Sequence, residues 1–95
     1  MDLTGNPWII DAADVAAAGV TVWPTDAHIL QIEFEGYVLN DVVEVLRGNG
    51  KVFWTAHGDI DLSPVKSGTL GHTGTSGLKI AHAAIPHGSV RIYHR

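Results

Sequence analysis

The chain contains no cysteine, so neither disulfides nor thiolate-bound metal can hold it together. No apolar run approaches the roughly 18 residues of a membrane span. No basic, Leu-rich leader opens the sequence either, because Asp2, Asp11 and Asp14 interrupt its first apolar residues. The expectation is a soluble protein made in a cytoplasm, with no membrane partner. Clustered basic residues are also missing. Six Lys and Arg against ten Asp and Glu give a net charge of −4, which disfavours nucleic acid as a partner, since phosphate neutralisation needs concentrated positive charge. Signatures of catalysis are absent as well. The glycine-rich stretch SGTLGHTGTSG lacks the GK[ST] of a phosphate-binding loop, and Ser63, Ser67, Ser76 and Ser89 lack the GxSxG setting of an activated serine. No catalytic residue and no cofactor are assigned, and the chain is read as non-enzymatic.

What remains is a short chain rich in strand signals. Its 95 residues make one domain over 1–95, which buries roughly 60–70% of its unfolded surface in one modest core. Apolar and polar residues alternate over His28 to Glu35, with His28, Leu30, Ile32 and Phe34 on one parity and Ile29, Gln31, Glu33 and Glu35 on the other. Short strands are also expected around Trp8 to Ile10, Val20 to Trp23, Leu78 to Ala84 and Ser89 to Arg95. Asp11 to Gly19 is the only helix candidate, and it is short enough to be a single turn or a loop. Residues 59–77 read as a loop-dominated crossing between sheets. Six to eight short strands with regular turn signals predict an all-β fold, a small antiparallel β-sandwich of jelly-roll or immunoglobulin-like type.

The stretch VEVLRGNGKVFW poses a question of its own. Asn49-Gly50 between two apolar runs predicts a two-residue type I′ hairpin. Val43 would then face Ala56, Glu44 face Thr55, Val45 face Trp54 and Leu46 face Phe53. Trp54 is expected in the core with Val45, Ile32 and Phe34, which leaves Leu46 and Phe53 as an apolar pair on the other face. That face is an interface, or it lies under a loop such as 59–77, or the hairpin is central with both faces covered.

Charge is uneven along the chain: residues 1–50 hold eight acidic side chains against Arg47 alone, and residues 51–95 hold five basic ones against Asp59 and Asp61. The favoured reading is that strands of the two halves interleave in space. The six histidines form no HxH or HExxH unit. His57, Asp59 and Asp61, the tightest cluster, read as a solvated turn rather than a metal site, and His82 and His94 as core or rim residues. Trp8, Trp23, Trp54, Tyr37 and Tyr93 could form a platform for sugar rings, although for each tryptophan the core reading leads. Tyr93 lies between Arg91 and Arg95, a basic-aromatic row of the composition that interfaces favour.

Four stretches, NPWIIDA, VVEVLRGNGKVFW, SGLKIAHA and GSVRIYHR, together resemble the small all-β virion proteins of tailed bacteriophages. In that group short sandwich proteins decorate or cement the capsid, or act as adaptors. The resemblance implies a non-enzymatic structural protein of the virion, made in the bacterial host cytoplasm, that binds capsid subunits and self-associates as a homo-oligomer. It carries no catalytic residues. On this reading Leu46, Phe53, Arg91, Tyr93 and Arg95 are the expected protein interface. The alternative is a carbohydrate-binding or adhesin-like sandwich using its aromatics.

Overall fold

Among the described residues, three bulges set how the side chains of this sandwich face. The computed structural model describes residues 1–15, 19–58, 65–68, 70–81 and 85–95, with the backbone alone over 65–68. Nine strands occur among them: β1 (Trp8–Asp11), β2 (Val20–Trp23), β3 (His28–Glu35), β4 (Val42–Arg47), β5 (Val52–His57), β6 (Val65–Gly68), the two-residue β7 (Gly71–His72), β8 (Leu78–Ile80) and β9 (Ser89–His94). Of the Ala-rich helix candidate, Ala12–Val15 forms one 3-10 turn, and residues 16–18 lie outside the described residues. No helix there is long and apolar enough to cross a membrane.

One sheet runs β1-β9-β3-β6, with β7 also pairing β3, and the other runs β2-β8-β4-β5. Every pairing is antiparallel. With β7 set aside, the strands couple as β1 with β9, β2 with β8, β3 with β6 and β4 with β5. These four antiparallel pairs, alternating between the two sheets, follow the jelly-roll order rather than the immunoglobulin one. Trp8, Ile10, Ile29, Ile32, Phe34, Val90 and Ile92 of the first sheet meet Val22, Val43, Val45, Leu78 and Ile80 of the second, and all are buried.

The hairpin corrects one sequence expectation and keeps another. Gly50 N donates to Arg47 O at 2.8 Å, Arg47 N donates to Lys51 O at 2.7 Å, and Gly50 has φ 91°. The loop is therefore three residues, Gly48 to Gly50, closed by a left-handed glycine, and not a two-residue type I′ turn. Phe53 is then an extra residue on β5, so Leu46 pairs with Val52, while Val45 still pairs with Trp54 and Val43 with Ala56. The longer loop and the bulge cancel. Leu46 and Phe53 are not cross-strand neighbours: Phe53 packs against the core, with the Arg47 guanidinium 4.8 Å above its ring, while Leu46 faces out.

Trp54 has the expected register, but it is only partly buried, because β5 is an edge strand. Among the described residues the hairpin is thus not central. Of the stretch 59–77 expected to cover it, 59–64 and 69 lie outside the described residues; Gly71 and His72 join β3 of the other sheet, and Gly77 O accepts from Gly48 N at 3.0 Å beside the hairpin loop. A second correction concerns β3. Leu30 is a bulge residue between Ile29 and Gln31, so Ile29 points inward with Ile32, and Leu30 points out. The alternation is broken where the sequence reads as unbroken.

These placements separate two side chains that the sequence joins. Phe53→Thr is expected to destabilise the fold by about 1–3 kcal/mol through lost burial and the lost cation contact. Leu46→Thr should stay within about 0.5 kcal/mol, as outward-facing substitutions do. Urea titration of the two single variants measures the contrast, and equal losses would return Leu46 to the core.

Candidate functional site

At the end of the sandwich where β3 starts, three ring systems pack together. Trp8, at the start of β1, is only 2% exposed. Trp23, at the end of β2, lies against one side of it with ring centroids 4.9 Å apart and planes 18° apart, and His94, at the end of β9, lies 3.9 Å away at the same angle. Two bulges are found here. Val22 is the extra residue between Thr21 and Trp23 on β2, so that buried Val22 is followed by Trp23 at 37% exposure. The Leu30 bulge lies just beyond His28 on β3. Bulges re-aim side chains in this way at sheet ends.

The β2–β3 connection supplies the polar part. Asp26 Oδ2 accepts from His72 Nδ1 at 3.0 Å, and its Oδ1 accepts from Gly74 N at 3.0 Å. His72 stands opposite His28 in the β3–β7 pairing, with ring centroids 4.5 Å apart. Behind them the buried Thr73 accepts from Ala27 N through Oγ1 at 3.0 Å, and its own N–H donates to Ala27 O at 2.9 Å. Arg47 donates to the carbonyls of His72 and Thr73, tying the second sheet to this loop. His94 Nε2 donates to Gly5 O at 3.2 Å, which fixes its tautomer. Arg95 N donates to His28 O at 2.9 Å. Together Trp8, Trp23, Asp26, Ala27, His28, His72, His94 and Arg95 line a cleft of about 520 Å³ at one end of the sandwich.

The sequence-predicted interface residues do not form one surface. Leu46 is on the outer face of the second sheet, beside a shallow trough of about 440 Å³ lined also by Val20, Thr21 and Lys79. Arg91 and Tyr93 are on β9, whose neighbours are β1 and β3, so they lie on the opposite side of the molecule. Their partners are acidic side chains of β3. Arg91 Nη2 is 2.6 Å from Glu35 Oε2, and Tyr93 Oη donates to Glu33 Oε2 at 3.2 Å. Desolvation and then the hydrogen bond to Glu33 hold the Tyr93 phenol above its ordinary value, so it stays a donor. Arg95 leaves this row and joins the cleft. The two halves of the chain interleave as the charge pattern suggested: Glu33 and Glu35 meet Tyr93 and Arg91, Asp26 meets His72, and Asp41 meets His87 at 2.9 Å.

Sequence reasoning missed the cleft. His28, His72 and His94 are far apart in the chain, and only the pairings of β3 with β7 and β9 bring them to one end. Trp23, read as a core residue, is on the surface. Asp59, Asp61 and His82 lie outside the described residues, and within those residues no group of three His, Cys, Asp or Glu side chains could hold a metal ion. Compared with family models, with curated proteins and with solved structures, the chain finds no match in any of the three.

Proposed function

We propose that this chain is a non-enzymatic structural subunit of a tailed-bacteriophage particle, a decoration or cement protein that binds capsid subunits and other copies of itself. The observation that carries the reading is the apolar surface on and beside the hairpin sheet. Val38, at 51% exposure, and Leu39 occupy the turn between β3 and β4, and Val42 continues from them onto the outer face of β4. Val52, at 53%, stands opposite Leu46 on the edge strand β5. Apolar side chains gathered on an outer face next to an edge strand are what a docking subunit presents and what an isolated monomer disguises. The resemblance of the four sequence stretches to small phage virion proteins supplies the kind of partner. The expected particle contact now centres on Leu39, Val42, Leu46 and Val52, with Phe53 turned toward the core.

Light scattering combined with sedimentation onto capsid shells tests this. The expected result is self-association or shell binding that a Leu39→Ser, Val42→Thr, Val52→Thr triple variant loses while its melting temperature holds. A chain that stays monomeric at every concentration and leaves shells bare would overturn the reading.

A further inference from the structure

We propose that the cleft between Trp23 and Arg95 is a binding site for a neutral saccharide of one or two pyranose rings. The site lies at the opposite end of β3 from the Val38–Leu39 turn, and it is lined by residues other than Leu39, Val42, Leu46 and Val52.

A sugar ring has two kinds of surface, and the cleft supplies a counterpart to each. Its C–H face carries slight positive charge and packs on the electron-rich face of an aromatic ring. Trp23 offers such a ring in a fixed position. It is 37% exposed, backed by the buried Trp8, and follows the Val22 bulge. Its backbone is equally confined: a Cβ on Gly77 would come within 2.1 Å of the Trp23 carbonyl oxygen, so only glycine lets the β8 end approach. A platform held this way loses little freedom on binding, which favours affinity for a small ligand.

The hydroxyls of a sugar each donate and accept, and they need both kinds of partner within reach. Asp26 is an acceptor already oriented by His72 and Gly74 N, and each oxygen retains a further lone pair. Because His72 Nδ1 faces Asp26, its Nε2 is left to hydrogen-bond a hydroxyl. Arg95 adds a fork of donors at the rim. Charge then narrows the ligand. One carboxylate and one guanidinium line the cleft, so an anionic sugar would meet Asp26 and a cationic one Arg95. A neutral ring meets neither penalty. The volume of about 520 Å³ falls in the range of small-molecule sites.

The test is a tryptophan-fluorescence and saturation-transfer NMR titration of the whole chain with maltose, cellobiose, lactose and diacetylchitobiose, alongside sialyllactose and digalacturonate. At least one neutral disaccharide is expected to bind with a Kd of about 1 mM or tighter. Trp23→Ala should weaken it at least about tenfold, equivalent to about 1.4 kcal/mol, with circular dichroism showing the fold retained. His72→Ala, at a side chain 63% exposed, should weaken it several-fold, and it decides the matter if Trp23→Ala fails to fold. Saturation by none of the neutral sugars, binding restricted to the anionic ones, or binding indifferent to both variants would overturn the proposal. A chain that binds shells but no sugar loses only this inference, and one that binds sugar but never assembles loses only the reading above.

Discussion

Trp8→Ala is expected to cost about 3–5 kcal/mol of unfolding free energy, as large aromatic truncations in packed cores do. Trp8 is almost fully buried and stacks with both Trp23 and His94. Its strand is only four residues long, and its outer edge is tied by Asp2 and Ile9, whose N–H and C=O groups exchange hydrogen bonds at 2.8 Å. Little else is available to close around the hole. Against a total stability of about 5–15 kcal/mol, the loss would leave a large unfolded fraction at a body-like temperature. Trp54→Ala is the internal control: on an edge strand and only partly buried, it should cost less than half as much. Chemical denaturation of both variants checks the ranking. A Trp8 loss under about 1 kcal/mol would mean the ring stack contributes little to the fold.

The second large effect is expected at Gly88. Its φ is 72°, and a Cβ there would come within 2.0 Å of the Glu35 carbonyl oxygen and 2.8 Å of the Gly36 carbonyl carbon. Gly36 faces it with φ 77° and a Cβ position 3.1 Å from the Gly88 Cα. Two backbones meet here where β3 ends and β9 begins, and Gly88 O also accepts from Ala12 N at 2.9 Å. Gly88→Ala must pay both the left-handed conformation and the displacement of a strand, about 2–4 kcal/mol in all. Gly50 separates the two terms. Its φ is 91° but open space surrounds it, so Gly50→Ala should cost only the conformational part, about 1–2 kcal/mol. Equal thermal shifts for the two alanine variants would show that the close approach is absorbed elsewhere.

The sandwich was legible because its strands are short and bounded by glycine, proline and asparagine, and because Val43 and Val45 alternate cleanly with Glu44. The hairpin register over β4 survived for an unforeseen reason: an extra loop residue and an extra strand residue offset one another. Nothing in the residues around Leu30 announces a bulge, since leucine suits either face, and so Leu30 was grouped with the inward Ile32 and Phe34 where Ile29 points in instead. Trp54 looked like the core tryptophan because pairing partners can be read locally. The position of a strand within its sheet cannot, and it is the edge position of β5 that leaves Trp54 half covered. The cleft was invisible for the same cause. Asp26, His72 and His94 become neighbours only through the order β9-β3-β7, which depends on contacts across most of the chain. Interleaving of the charged halves was anticipated from composition, and the pairs of β3 with β9 supply its detail.

The coupling of β1 with β9 also dictates when the protein can fold. Trp8 pairs with Ile92 and Ile10 with Val90, so β1 is synthesised long before the strand it pairs with. β9 in turn separates β1 from β3, and until it arrives β3 can pair only with β6 and β7 while β1 has no partner strand in the sheet. Folding dominated by such distant pairings falls in the millisecond-to-second regime rather than the microsecond one. During synthesis the growing chain therefore exposes Trp8, Ile10 and Ile32 throughout, a window in which chaperones or neighbouring nascent copies compete with the final strand for the same apolar edge.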